Sequence, residues 1–395
     1  MSVWEVLIGQ DEATATLSHA AADAARSLRG EPAPGMTHAW LITGPPGSGR
    51  STAATAFAAA LVCPEQGCGD CIPCRTAIAG THSDVEIVRP EGLSYGADDT
   101  EALVMQASMA PSTSRWHIIV VEDADRLTEQ ALNRLLKALE EPAPSTVWIL
   151  CAPGVEDVLP TVRSRTRHVS LRTPSASDVS TALQQRYGVD AAIAAFAARA
   201  SQGHIGRARA LATDEQARLR RHEVLRLPLE LHDLASCFVA AADLLAAATG
   251  DATALADPLD AREEADLLRA YGEGADNASN ARAKKLSGKA MKDLQKSHKS
   301  RRTRMVRDQI DRALLDLVGF YRDVLILQVQ SDVGLINEEM RTQLSQVAVR
   351  ATPEDTARRL EALAYSRLQI AANVTPQLAL EALMVRLKDP SLKAA

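Results

Sequence analysis

The stretch His38–Thr52 reads HAWLITGPPGSGRST, and the rest of the fold can be worked out from it. Ala39–Thr43 is a short apolar run that predicts a strand, and the alanine-rich Ala53–Val62 has helical composition. A glycine loop between a strand and a helix is the setting of a phosphate-binding loop, because backbone N–H groups and the positive helix N-terminus converge there on an anion. The sequence therefore predicts a phosphate-binding loop, and a glycine turn without a ligand is the alternative.

The loop supplies the candidate nucleotide-binding residues. The pattern G-x-x-x-x-G-K-[ST] is matched at both glycines and at the hydroxyl, but the lysine position holds Arg50. Ser51 can place a hydroxyl on a magnesium ion, whereas an arginine brings a broad planar fork to the place of an ammonium point charge. The motif leaves open whether nucleotide still binds. The candidates are Gly44, Gly47, Ser48, Gly49, Arg50, Ser51 and Thr52.

Short apolar or β-branched runs alternate with helical segments along residues 1–173. This alternation is typical of a parallel sheet covered by helices, so we expect an α/β domain with a five-stranded parallel sheet. Residues 174–213 predict a small helical unit, and the pattern of 214–395 is nearly all helical. The expected strands are Ala39–Thr43, Val85–Val88, His117–Val121, Thr146–Cys151 and His168–Leu171.

Composition limits the partners and the compartment. The 395 residues carry a net charge of −6, so any contact with nucleic acid must come from a local basic patch. The N-terminus has no signal segment and no apolar run approaches membrane-spanning length, which predicts a cytoplasmic protein without a membrane partner. Six cysteines, four of them clustered, favour a metal site in a reducing cytoplasm over a disulfide framework.

Four cysteines lie within a dozen residues, directly after the helix of the phosphate loop. Four thiolates in a tetrahedral array are the ligand set of a closed, structural zinc site, which has no open position for catalysis. Ordinary free cysteines and an iron–sulfur site are the alternatives. The candidate metal ligands are Cys63, Cys68, Cys71 and Cys74.

Charged residues at two strand ends are further candidates. Glu122 and Asp123 end the third strand, where phosphate-loop ATPases carry a metal-binding aspartate followed by a glutamate; here the two types are reversed. They either contribute to catalysis or only solvate the strand end. The run 163–167 holds three arginines, which either form a simple basic loop or aim a guanidinium at the phosphate of a neighbouring subunit.

The segment 272–307 contains a strongly basic run. Its lysines recur at three- and four-residue steps, which would place them along one helix face. The run is either a solvated helix or linker, or a contact with a phosphate backbone. No aromatic residue interleaves, so base stacking is not indicated. The spaced lysines are Lys285, Lys289, Lys292, Lys296 and Lys299, continued by Arg301, Arg302, Arg304 and Arg307.

Taken together, these residues resemble the AAA+ subunits of bacterial DNA polymerase III sliding-clamp loaders. The position of the cysteine knuckle after the phosphate-loop helix is similar to that family, as are four sequence motifs. These are Leu7–Gln10, the signature Asn133–Pro142, Ser164–Thr166 (Ser-Arg-Cys in the family) and Asn373–Glu381.

Departures from the motor subunit indicate the class within the family. Arg50 replaces the lysine, Glu122 and Asp123 are inverted, and Gly206 stands where the motor has its second sensor arginine. This combination resembles the delta-prime class, which implies weak or absent ATP turnover by this chain. The resemblance also implies that Arg165 acts in trans, as an arginine finger on the ATP site of a neighbour. The motor subunit of gamma/tau type is the alternative, and a Holliday-junction helicase motor is a more distant one.

The resemblance implies an assembly as well as an architecture. It predicts an AAA+ domain at 1–173 with a zinc knuckle at 63–74, a helical lid at 174–213, and a collar at 214–395 that contains the basic insert 272–307. The implied ligands are structural zinc and, in the family's phosphate loop, ATP with magnesium. The implied partners are the motor and delta subunits of a hetero-pentamer, the sliding clamp, and primed DNA reached through the complex.

Overall fold

The computed structural model describes residues 2–90, 95, 97–270 and 280–392, without the side chains of 97–99 and 280–287. These described residues divide into two compact units, Met1–Thr213 and Asp214–Ala395. Residues 272–279 of the basic insert and the side chain of Lys285 lie outside the described part of the chain.

In the first unit, the described residues form one five-stranded parallel sheet in the order β2-β3-β4-β1-β5. The expected α/β class is therefore confirmed. Three strand boundaries, the end of β4 and both ends of β5, differ by one residue from the sequence expectation, because these two strands pair with β1 over slightly shifted ranges. The strands are β1 Ala39–Thr43, β2 Val85–Val88, β3 His117–Val121, β4 Thr146–Ala152 and β5 Arg167–Ser170.

Helices cover both faces of the sheet because its central strands are apolar on both sides. One core contains Trp40 and Phe57, whose rings meet edge to face with centroids 5.0 Å apart, and the other contains Leu41 and Trp148. The helices of this unit are α1 Asp11–Ser27, α2 Arg50–Val62, α3 Ile72–Ile78, α4 Ala97–Ala107, α5 Glu129–Glu140, α6 Pro160–Arg163, α7 Ala176–Tyr187, α8 Ala191–Ala200 and α9 Ile205–Thr213.

In its described residues, the second unit is helical. The long helices α11 and α12 pack against each other, and α14 and α15 pack on them around a core that includes Leu314, Phe320 and Leu380. The buried guanidinium of Arg221 in α10 forms ion pairs with Asp316 of α12 (2.9 Å) and with Glu339 (3.2 Å). The helices are α10 Glu215–Glu230, α11 Leu234–Ala270, α12 Asn280–Gln328, α13 Arg341–Arg350, α14 Pro353–Ala371 and α15 Pro376–Lys388.

Helix α11 corrects one expectation from the sequence. By length and composition it is long and apolar enough to cross a membrane, so the statement that no apolar run approaches that length is wrong. The core helix of a soluble protein can have the same length and apolar composition. In this chain Cys237, Ala241 and Leu244 of α11 are buried in the helical core.

Candidate functional site

The phosphate loop lies at the carboxyl end of β1, which runs between β4 and β5 in the sheet. Gly49 precedes α2 in a left-handed conformation (φ +96°), and Gly47 is also left-handed (φ +83°). A Cβ on Gly47 would lie 2.3 Å from Cγ of His204, so glycine is required there by its backbone and by its neighbour. The loop thus has the strand–loop–helix geometry that the sequence predicts, with α2 beginning at Arg50.

Arg50 turns back onto its own loop. Its guanidinium donates a hydrogen bond to the carbonyl of Gly44 and lies 3.8 Å from a carboxylate oxygen of Asp123. The side chain is only 13% exposed. The guanidinium of Arg50, which stands in place of the motif's lysine, is therefore already bound by protein groups and is not free to contact a phosphate.

The acidic pair after β3 is also engaged. Arg89, which follows β2, donates to both carboxylate oxygens of Glu122 at 2.9 and 3.1 Å. Asp123 has a left-handed backbone (φ +50°) and lies between Arg50 and Arg126. The hydrogen bonds that Arg89 donates to Glu122 raise the pKa of the Arg89 guanidinium. A divalent cation at Glu122 would have to displace an arginine.

Two contacts close the loop from outside the motif. The side-chain amide of Gln10 donates to the carbonyls of Ser48 (3.4 Å) and Arg172 (2.7 Å), which ties the N-terminal box to the loop and to the end of β5. The backbone N–H of Ile205 donates to the carbonyl of Gly47 at 3.1 Å. Within the described residues, the buried hydroxyl of Ser48 has no hydrogen-bond partner.

Some of these residues escaped the sequence reasoning. Neither Arg89 nor His204 belongs to a sequence motif that would mark it as part of the site. For Arg89, its position in the sequence could have indicated the site. It follows β2 as Glu122 follows β3, and the carboxyl ends of neighbouring parallel strands meet at one edge of a sheet. Gly206 is exposed near the start of α9, and a Cβ there would meet only the ring of His204, at 3.5 Å.

Arg165 lies in the short connection between α6 and β5. Its guanidinium forms an ion pair with Glu140 and donates to the carbonyl of Thr161 (2.8 Å) and to the hydroxyl of Ser164 (3.1 Å). The side chain is 36% exposed, and that of Glu140 is 46% exposed. The guanidinium is therefore oriented by local contacts while part of it remains accessible to solvent.

The four clustered cysteines come together as one site. Their Sγ atoms lie within 4.8 Å of one another, and Sγ of Cys63 is 3.6 Å from that of Cys68 and 3.7 Å from that of Cys71. These distances exclude disulfides, in which the sulfurs are about 2.05 Å apart. The four thiols could hold one metal ion.

Local backbone structure positions and tunes these thiols. The sulfur of Cys71 caps α3 by accepting the backbone N–H of Cys74 at 3.4 Å. Burial raises the pKa of the Cys74 thiol. Burial also opposes ionisation of Cys63, but backbone N–H groups, that of Cys68 first, outweigh it and lower the pKa of Cys63 to about 7. One thiol of the cluster is thus prepared to ionise at neutral pH, as metal ligation requires.

Known proteins resemble the region that carries this site. Residues 28–175 match the family described as DNA polymerase III, delta subunit. The delta-prime subunit of Escherichia coli K12 is 35% identical over 186 residues, which are 44% of this chain and 54% of the relative. The delta-prime subunit of Bacillus subtilis 168 is 34% identical over 133 residues, 33% of this chain and 40% of the relative.

A gamma/tau subunit is similar to the same degree. That of Mycobacterium tuberculosis H37Rv is 34% identical over 171 residues, 42% of this chain and 28% of the relative. Over this region the chain is similar to these DNA polymerase III subunits. The matches span 28% to 54% of the length of these relatives. Both delta-prime and gamma/tau subunits are thus relatives of the unit that holds the phosphate loop.

Proposed function

We propose that the protein is the delta-prime subunit of a bacterial DNA polymerase III clamp loader. In this role it supports ATP-driven loading of the sliding clamp onto primed DNA during replication, as a cytoplasmic member of a hetero-pentamer with the motor and delta subunits. Its own ATPase activity is weak or absent. The match of residues 28–175 and the delta-prime relatives support the assignment.

One observation carries the proposal: the chain neutralises its own phosphate loop. Arg50 is held by Gly44 and Asp123, and Glu122 is held by Arg89. Phosphoryl transfer depends on positioned cations and on acids that orient metal and water, acting together. Nucleotide would contact the loop through the candidate residues from Gly44 to Thr52, and turnover would require both ion pairs to break.

We propose further that the cysteine cluster holds structural zinc. With Zn–S bonds of about 2.3 Å, tetrahedral ligands lie about 3.8 Å apart. The separations of 3.6 and 3.7 Å from Cys63 are close to this value. Zinc would cross-link the end of α2 to the start of α3, and all four ligand positions would be filled by protein, which leaves none for catalysis.

Turnover of ATP by the purified chain tests the assignment. We expect no hydrolysis above background by the chain alone, and hydrolysis only after the motor and delta subunits are added. Arg50→Lys should not restore turnover, because Glu122 remains paired with Arg89. Turnover by the chain alone that is lost in Ser51→Ala would overturn the assignment.

That result would instead support the motor subunit, the second candidate. The observation that favours it is the 34% identity to the gamma/tau subunit of Mycobacterium tuberculosis. Titration with a fluorescent ATP analogue separates the two candidates further. Binding without turnover agrees with delta-prime, whereas a motor subunit both binds and hydrolyses.

A further inference from the structure

The basic stretch of α12 presents a face of lysines to solvent. Four of them, Lys289, Lys292, Lys296 and Lys299, are exposed. At 100° and 1.5 Å per residue, they fall within a sector of about 80° and span about 15 Å of helix. Among the described residues, none of them has an ion-pair partner. We call these four residues the lysine face.

The neighbouring arginines have a different role from the one the sequence suggested. Arg301 makes ion pairs with Glu263 (2.8 Å) and with Asp260 of α11, and Arg302 makes ion pairs with Asp260 (2.7 Å) and Asp257 (2.8 Å). The hydrogen bonds that the two guanidinium groups donate to these acids raise the pKa of both arginines. These arginines therefore join α12 to α11 and do not extend the free charge of the lysine face.

The same cluster contains a group that resembles a metal site. His298, Asp260 and Glu263 place potential ligand atoms within 4.8 Å of one another. However, Arg301 binds both carboxylates, and His298 binds Glu263 at 2.9 Å. A metal cation would have to displace the guanidinium of Arg301. We therefore interpret this cluster as a set of ion pairs that links α11 to α12. Because His298 is buried against α11, it fixes the rotation of α12 and turns the lysine face outward.

We propose that the lysine face binds the phosphate backbone of double-stranded DNA. Exposed lysines without carboxylate partners keep their full charge for an anionic partner. Residues 280–307 contain no phenylalanine, tyrosine or tryptophan on which unpaired bases could stack, which disfavours single strands. A membrane-surface helix needs exposed apolar side chains, whereas Met291 and Leu294, on the other side of the helix from the lysine face, are half-buried. Regular charges along a straight helix therefore match duplex phosphates best.

The proposal predicts a salt dependence. Each phosphate contact on duplex DNA contributes about 0.9 to the slope of log affinity against log salt concentration, so four contacts contribute about 3.6. The chain is acidic overall, with a net charge of −6, so attraction over the whole surface cannot produce this slope. Binding should therefore be weak, independent of sequence and strongly salt-sensitive.

The test compares two variants of the full chain with equal charge. The first changes the lysine face to glutamine, a residue with similar helix propensity. The control changes four exposed arginines of the same unit to glutamine, so both variants have a net charge of −10, from −6 − 4. The control positions are Arg226, Arg341, Arg350 and Arg358.

Fluorescence anisotropy with a 30-base-pair duplex of arbitrary sequence, measured between 50 and 200 mM salt, gives the slopes. In the lysine-face variant, we expect the slope of log affinity against log salt concentration to become shallower by about 3 to 4. Its affinity at the lowest salt concentration should fall at least tenfold. The control variant should have the same slope and affinity as the parent chain. Circular dichroism checks that both variants remain helical. Equal slopes in both variants would overturn the proposal.

A membrane partner is tested in parallel with vesicles that contain phosphatidylserine. If the lysine face binds these vesicles and the duplex slope does not change, the DNA proposal is wrong. The inference does not depend on the proposed role in clamp loading, because the measurement uses this chain alone.

Discussion

Replacing Arg165 by alanine tests whether this residue is an arginine finger or only a structural arginine. The structure predicts a small effect of the substitution on the free energy of unfolding, whereas loss of a finger would have a large effect on the rate of ATP turnover. The ion pair with Glu140 is substantially exposed, at 36% and 46% for the two side chains. Exposed pairs contribute about 0.2–1 kcal/mol, which corresponds to a melting shift of about 2–4 °C at most in a unit of this size. Loss of a finger in trans can lower turnover by roughly 10³–10⁵, and by less where other sites share the hydrolysis.

We therefore expect Arg165→Ala to melt within a few degrees of the parent chain, to retain its zinc and to assemble normally. ATP turnover and clamp loading by the reconstituted complex should fall at least tenfold. Arg165→Lys should recover little, because lysine lacks the planar fork that contacts two phosphate oxygens. Melting, gel filtration and steady-state turnover of the complex measure the three quantities on the same preparations.

Glu140→Gln is the matched control. It breaks the same ion pair but leaves the guanidinium in place. If Arg165 acts on the phosphate of a neighbour, turnover by this variant should be unchanged or higher, because less charge restrains the arginine. Equal losses in Glu140→Gln and Arg165→Ala, or normal clamp loading by the assembled Arg165→Ala complex, would refute the finger.

Three further predictions concern stability. Cys74→Ser, at a fully buried position of the cluster, should abolish the roughly one equivalent of zinc found by elemental analysis and destabilise the first unit; reduced parent protein without zinc would contradict it. Burial opposes ionisation of Asp84, but five hydrogen bonds from residues 112–114 at 2.6–2.8 Å hold its pKa far below the usual range. Asp84→Asn should therefore cost about 2–4 kcal/mol in urea unfolding at pH 7, and the difference from the parent should shrink below about pH 4, where the unfolded carboxyl takes up a proton; a constant difference down to pH 2 would contradict this. Arg221→Met should cost about 3–5 kcal/mol because the buried carboxylate of Asp316 loses its ion pair with the guanidinium, and the double variant with Asp316→Leu should recover part of it.

Local patterns were enough to predict the framework of the first unit. Apolar runs, glycine loops and helical spacing act over a few residues, so β1, the loop and α2 could be placed before any contact was known. The spacing of the cysteines likewise identified a cluster whose sulfurs the fold then brings within 4.8 Å. The sequence alone also supplied the resemblance to clamp-loader subunits that residues 28–175 bear out.

The tertiary structure decided which charges remain free. Arg89 reaches Glu122 across 33 residues, and Arg301 reaches Asp260 across 41. A sequence shows that such groups exist but not which of them meet, because pairing depends on strand order and helix rotation. For this reason a basic run that looked uniform contains both arginines that join two helices, Arg301 and Arg302, and the four solvent-facing lysines of the lysine face. For the same reason, only the fold shows a phosphate loop whose own cation and acids are already paired.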